Sequence, residues 1–69
     1  MRLSARNQIP ARVVTVHEGA SIANVELEAA GLQLVASITV EAARELDLWE
    51  GREVTAVIKA TDVMVAVAD

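Results

Sequence analysis

The fold of this chain is decided by the stretch Val54-Thr55-Ala56-Val57-Ile58-Lys59-Ala60-Thr61-Asp62-Val63-Met64-Val65-Ala66-Val67. Two apolar runs rich in Val and Ile flank a polar island at residues 59–62. Short runs of this composition, bounded by turn formers, predict β-strands rather than helix. Both faces of each run are apolar, and such strands are covered on both faces. In a chain of 69 residues, we expect part of that cover to come from another subunit.

The polar island and a second polar segment carry the residue types that bind small anions. The island contributes Lys59, Ala60 and Thr61, and the second segment is Ser4-Ala5-Arg6-Asn7. A fully ionised tetrahedral oxyanion only accepts hydrogen bonds, so hydroxyls, amides, backbone N–H groups and cationic side chains are its natural partners. Each segment alone is also typical of plain surface chain, residues 4–7 of a solvated arm and residues 59–62 of a β-turn.

The remaining chain predicts three more strands and a helix. Residues 11–17 form a Val-rich run, residues 23–28 alternate between apolar and polar side chains, and residues 32–38 repeat that alternation. Thr39 fits a helix N-cap, and residues 40–46 have helical spacing. Three strands, one short helix and two strands predict an all-β fold with one short helix. The architecture indicated is a small, five-stranded Greek-key barrel of the oligonucleotide/oligosaccharide-binding kind, with half of a β-sandwich as the alternative.

Two finer expectations concern the helix and the first turn. The helical spacing places Val40, Ala43 and Leu46 on one inward stripe. Gly19 lies in the first turn and Gly31 in the next, and we expect Gly19 to use its freedom to adopt a positive φ angle.

Length and composition favour an oligomer. We expect residues 1–69 to form a single domain, and a domain of this size buries only about 60% of the surface that its unfolded chain exposes. The sequence has no Cys and one His, so disulfides, thiolate metal sites and a histidine metal cluster are excluded, while 54% of the residues are hydrophobic. Oligomerisation is the remaining route to stability. No leader and no apolar run of roughly 18 residues is present, so we expect a cytoplasmic protein without a membrane partner.

Charge and aromatic content argue against nucleic-acid binding, and the sequence offers no catalytic constellation. Six Lys and Arg residues stand against ten Asp and Glu residues, which gives a net charge of −4. Nucleic-acid binding depends on many cationic contacts with phosphates and, for single strands, on several stacking aromatic residues. Trp49 is the single aromatic residue, so no nucleic-acid partner is expected. One His without Cys provides no nucleophile–base pair, and we expect no enzymatic activity.

Two motifs resemble a known family. One is Leu3-Ser4-Ala5-Arg6-Asn7, followed by a Val-rich strand that ends in Glu18-Gly19-Ala20. The other is Val57-Ile58-Lys59-Ala60-Thr61-Asp62-Val63-Met64. Together they are similar to the start and the Ile-Lys-(Ala or Ser)-(Ser or Thr)-(Asp or Glu)-Val-Met signature of the molbindin (Mop) family, which has a TOBE-like molybdate-binding domain. The resemblance covers essentially the whole chain.

The resemblance implies a function, an assembly and two classes of site. It implies a homohexamer, a trimer of dimers, that holds molybdate or tungstate at subunit interfaces for intracellular storage and homeostasis. It also implies that the protein catalyses no reaction, has no organic cofactor and coordinates no metal directly. The first site would be formed by Ser4, Ala5, Arg6, Asn7, Lys59, Ala60 and Thr61.

A second class of oxyanion site would map onto His17, Glu18, Gly19 and Ala20. Here His17 replaces the Lys that is common in the family, and a histidine is cationic only below its ordinary pKa near 6.5. The alternative function is an anion-sensing regulatory or interaction module that acts on a separate partner protein.

Overall fold

A computed structural model describes residues 4–68 and contains four antiparallel strands and one short α-helix. The elements are β1 (Asn7–Glu18), β2 (Ile22–Ala29), β3 (Leu32–Thr39), α1 (Val40–Glu45) and β4 (Glu53–Ile58), followed by a 3-10 turn at Ala60–Asp62. The predicted order of strands and helix is confirmed as far as residue 58. β1 begins four residues earlier than expected, because the segment around Pro10 is also extended and pairs with β4.

The strand order in the sheet is β3-β2-β1-β4. Three strands follow one another through tight turns, and the fourth returns after α1 to lie beside the first. This is the spatial order of a Greek key. Pro10 lies in the part of β1 that pairs with β4 and precedes the pairing with β2, which begins at Arg12. Its missing N–H therefore removes no bond between β1 and β2.

The predicted fifth strand is not formed within residues 4–68. Residues 63–68 follow the 3-10 turn without strand pairing to any other part of residues 4–68. Met64 is 94% exposed and Val65 is 90% exposed. A strand is stabilised when a neighbouring strand pairs with its N–H and C=O groups, and this segment has no such neighbour within the described chain. The described residues thus form four strands rather than five.

The alternating pattern of β2 produces the buried face of the sheet. Ala23, Val25 and Leu27 are at most 7% exposed, and Val13 of β1 is 1% exposed. Val13, Val25 and Leu27 form one core cluster, as their period-2 spacing predicts. The opposite face of β2 carries polar side chains, among them Glu26.

The helix packs against one end of this core. The Oγ1 atom of Thr39 accepts a hydrogen bond of 3.0 Å from the N–H of Ala42, which confirms the predicted N-cap. Val40 and Ala43 are buried against Ala23. The prediction for Leu46 is wrong, since it is 58% exposed. The helix ends one residue before Leu46, and the chain turns away there. Within residues 4–68, no helix has the length and apolar character needed to cross a bilayer.

Glycine is needed for a different physical reason in each of the two turns. Gly31 has φ 80° and the preceding Ala30 has φ 52°, the two positive angles of a tight hairpin turn. The expectation for Gly19 is wrong, because its φ angle is not positive. Gly19 is needed for space instead, since a Cβ atom there would lie 3.0 Å from the carbonyl oxygen of Ile22.

Candidate functional site

The pairing of β1 with β4 brings the two predicted anion-binding segments together. Asn7, the first residue of β1, lies opposite Ile58, the last residue of β4. The side-chain Nδ2 of Asn7 also donates a 3.1 Å hydrogen bond to the carbonyl oxygen of Ile58. Residues 4–6 and residues 59–61 therefore leave the sheet at the same end and on neighbouring strands. The resemblance implies that these two segments are halves of one site, and a single chain places them side by side.

The second half of this site is a short 3-10 turn. Lys59 has extended angles, φ −65° and ψ 140°, and no side chain caps the turn that follows it. The N–H of Asp62 donates to the carbonyl oxygen of Lys59 at 2.9 Å. The first N–H groups of a helical turn have no acceptor inside it, so the amides of Ala60 and Thr61 face outward as donors. All of these residues are exposed.

The first half is held by its neighbours in β1. The Nε2 of Gln8 donates to the carbonyl oxygen of Ala5 at 3.2 Å, which closes a turn before the strand. Asn7 is half-buried, whereas Ser4 and Arg6 are exposed. The Asn7 bond to β4 fixes the direction in which this segment leaves the sheet.

Among residues 4–68, two cations lie at this end of the sheet. Arg6 and Lys59 are both exposed. Neither takes part in the ion pairs formed within residues 4–68, which are Arg12–Glu28, His17–Glu26 and Arg44–Glu18. Local cations and outward amides can attract an anion although the whole chain has a net charge of −4, because nearby charges outweigh distant, screened ones. This end of the sheet is suited to a small oxyanion.

The residues of the second predicted site lie at the far end of β1 and its following turn. The Nε2 of His17 is 3.1 Å from Oε2 of Glu26. Glu18 accepts two hydrogen bonds from the guanidinium of Arg44, at 3.0 and 3.3 Å. The N–H of Gly19 donates to the carbonyl oxygen of Ile22 at 2.8 Å, while Ala20 is exposed. Most donors that an anion would need here are engaged within the chain.

Both carboxylates at this end have lowered pKa values. The hydrogen bonds from Arg44 hold the pKa of Glu18 below its ordinary value of 4.5. The pKa of Glu26 is lowered chiefly by the hydroxyl of Thr15 and next by His17. The carboxylate of Glu18 in turn raises the pKa of Arg44. Negative charge therefore persists beside His17 at neutral pH, which opposes an anion.

Sequence reasoning did not find the polar cluster around Glu26. Thr15 donates to Oε2 of Glu26 at 2.8 Å, and Gln33 of β3 donates to Oε1 at 2.6 Å. Alternation could have shown that these side chains share the outward face of the sheet. Their exact partners depend on an irregularity in β1 between Val13 and Thr15, where the register with β2 shifts, and a one-residue shift changes every later pairing.

Comparison with known protein families finds a match over most of the chain. The family model described as the TOBE domain matches residues 3–65. The chain is 48% identical over 66 residues to molybdenum-pterin-binding protein 3 of Clostridium pasteurianum, covering 94% of this chain and 97% of the relative. The chain belongs to the TOBE-domain family of molybdenum-pterin-binding (Mop) proteins. The resemblance seen in its two sequence motifs is thereby confirmed.

Two solved structures share the fold of this chain over nearly its full length. A molybdate-binding protein from Sporomusa ovata superposes with a TM-score of 0.93 at 37% identity, covering 97% of this chain and all of that chain. MopII from Clostridium pasteurianum superposes with a TM-score of 0.89 at 42% identity, covering 96% of this chain and 100% of that one. The Sporomusa ovata relative is described as a molybdate-binding protein, and the mostly β fold with one short helix is the fold of this family.

Proposed function

We propose that this Mop protein binds molybdate or tungstate at the end of the sheet where β1 begins and β4 ends. The observation that carries the proposal is the pairing of Asn7 with Ile58, which sets Arg6 and Lys59 on adjoining segments. In this proposal the chain stores the oxyanion in the cytoplasm and takes part in molybdenum homeostasis. It performs no catalysis and needs no organic cofactor. The names of its relatives support this ligand class.

The donors at this end favour a fully ionised anion. Arg6, Lys59 and the outward amides only donate, while the hydroxyls of Ser4 and Thr61 can donate or accept, so donors outnumber acceptors at this end. Molybdate and tungstate are dianions that need only donors, whereas phosphate retains a proton in its main forms at neutral pH and needs an acceptor as well. The two metal oxyanions are tetrahedral and nearly equal in size, so the site is expected to bind both.

The proposed binding unit is an oligomer, a homohexamer built as a trimer of dimers. Donors from one chain enclose only part of a tetrahedral dianion, because all of residues 59–61 are exposed. A second subunit would complete the enclosure, so the oxyanions lie at subunit interfaces in this proposal. The apolar segment at residues 63–68 supports the same assembly, with that segment as the fifth strand of a closed barrel.

A thermal-shift series tests the ligand. A ligand that binds only the native assembly raises its stability by mass action. Molybdate and tungstate are therefore expected to raise the melting temperature, whereas phosphate and a single-stranded oligonucleotide at equal concentration leave it unchanged. A shift with the oligonucleotide and none with molybdate would favour a nucleic-acid-binding barrel and overturn the proposal.

A further inference from the structure

The turn after α1 holds an exposed tryptophan beside an open cavity. Trp49 is 55% exposed, although tryptophan side chains are highly buried on average. The cavity has a volume of about 250 Å³ and lies between the end of β1, α1 and this turn. Its apolar lining comes from Val16, Ala43, Leu48 and Trp49. An exposed aromatic ring on the wall of an apolar cavity marks an interaction surface.

Backbone hydrogen bonds fix the shape of this turn. The N–H of Leu48 donates to the carbonyl oxygen of Ala43 at 3.2 Å, and the N–H of Asp47 donates to that of Arg44 at 3.1 Å. These are the two bonds of a Schellman motif, in which the first residue after the helix cap is left-handed and usually Gly. Asp47 occupies that position with φ 53°. The chain therefore keeps a carboxylate where glycine would fit the backbone better, which points to a use for the carboxylate.

The charge around the cavity is negative. Residues 41–50 contain four acids and one cation, Arg44, whose guanidinium is bound to Glu18. Asp47 lines the cavity and takes part in none of the ion pairs formed within residues 4–68. A carboxylate outside these pairs, on the wall of an apolar cavity, favours a cationic ligand and opposes an anionic one.

The cavity fits one long basic side chain of a protein. Its volume of about 250 Å³ is less than the roughly 300–1,000 Å³ of a usual small-molecule site. Lys and Arg lay their aliphatic stems on apolar surface and keep the charged head near water, so the head would lie beside Asp47. The ring of Trp49 already attracts a cation of its own chain, since Cζ of Arg52 lies 5.7 Å from the ring centroid. Such contacts between a cation and an indole ring are favourable.

Other occupants match the cavity less well. An isologous contact brings the same surface of two copies together, which would place the acids of residues 41–50 opposite one another. Nucleic acids and anionic membranes are repelled by the same negative charge. We propose that the cavity beside Trp49 is a docking site for a protein partner, which inserts one Lys or Arg side chain of a basic segment. The proposal does not depend on the oxyanion site at the other end of β1.

The fluorescence of Trp49 reports on this surface alone, because Trp49 is the single aromatic residue of the chain. The intact oligomer is titrated, in the absence of molybdate, with a short peptide of alternating Lys and Ala. A saturable change in emission is expected, and a peptide with Gln in place of each Lys should bind about tenfold more weakly or less, because it lacks the charge. No saturable change with the Lys peptide, or equal binding of the Gln peptide, would overturn the proposal.

Two variants that lose the same charge separate a local site from general attraction. Asp47→Asn removes the carboxylate and keeps a residue type that tolerates the left-handed conformation, so it should fold like wild type and weaken binding of the Lys peptide by about tenfold. Glu28→Gln removes a carboxylate on β2 that pairs with Arg12, and it should change the affinity by less than about twofold. Equal losses in the two variants would show general attraction and contradict a docking site.

Quenching of Trp49 by acrylamide in the intact oligomer tests a second copy as the occupant. Strong quenching is expected, because the proposal requires the ring to stay open to a partner in the assembly. Weak quenching would show that another copy of the chain covers Trp49, and the docking site for a separate protein would then be ruled out.

Discussion

The two ends of β1 carry the same kinds of residue and differ in what surrounds them. At the start of the strand, Arg6 and Lys59 lie outside the ion pairs formed within residues 4–68. At the other end, His17 faces Glu26 and Arg44 is bound to Glu18. The ends lie ~36 Å apart, since the strand has 12 residues and rises roughly 3.3 Å per residue. A cation is available to an anion only where no carboxylate has already paired with it.

The largest expected effect comes from removing a cation at the start of β1. Charge-assisted hydrogen bonds contribute roughly 1.5–3 kcal/mol each, so Lys59→Ala should weaken molybdate binding by about tenfold or more. Arg12→Ala makes the same change in net charge on the outer face of β1 and should bind like wild type. Calorimetry on variants that keep their oligomeric state measures the difference. An unchanged affinity for Lys59→Ala would exclude it as a ligand.

A smaller effect is expected from loosening the contact between the two halves of the site. Asn7→Ala removes the hydrogen bond to Ile58 and should lower stability by about 1 kcal/mol, with a severalfold loss of molybdate affinity because the two segments diverge. Asn24→Ala removes an exposed amide that accepts a hydrogen bond from Ser37, near the other end of β1, and serves as the matched control. Denaturant unfolding and calorimetry report the two quantities. If both variants lose affinity equally, the Asn7 contact has no special role.

The carboxylates at the far end of β1 should contribute less to the stability of the fold at acidic pH. The folded pKa values of Glu18 and Glu26 lie below the ordinary value of 4.5. Each carboxylate therefore contributes stability above its unfolded pKa, and this contribution is lost as the pH falls through the folded pKa. Exposed ion pairs contribute little, so the loss should be small. Glu18→Gln and Glu26→Gln should flatten the acid side of the melting profile, whereas Glu45→Gln should leave its shape unchanged.

The smallest effect is expected for His17. Because His17 already faces the carboxylate of Glu26, His17→Ala should change molybdate affinity by less than twofold at neutral pH. The same calorimetry that measures Lys59→Ala checks this value. A tenfold loss would show that the second class of oxyanion site binds after all and that the contrast between the two ends is mistaken.

Much of the fold was predictable because its signals are local. The alternation at residues 23–28, the cap at Thr39 and the turn at Gly31 each depend on neighbours in sequence, and each was confirmed. Leu46 and Gly19 were mispredicted for a common reason. Where a helix ends, and how closely the backbone approaches itself within a turn, depend on the path of the following chain. Local periodicity does not describe that path.

The sequence by itself determined which hydrogen-bond donors the two predicted anion-binding motifs contain. It also determined the resemblance of these motifs to Mop proteins and the apolar character of the C-terminal segment. Only the tertiary structure decided that Asn7 lies beside Ile58 and that His17 and Arg44 are paired with carboxylates. It also decided that residues 63–67 leave their own sheet uncovered. Strand register brings together residues that are far apart in the chain, and neither composition nor a short motif specifies which of them become neighbours.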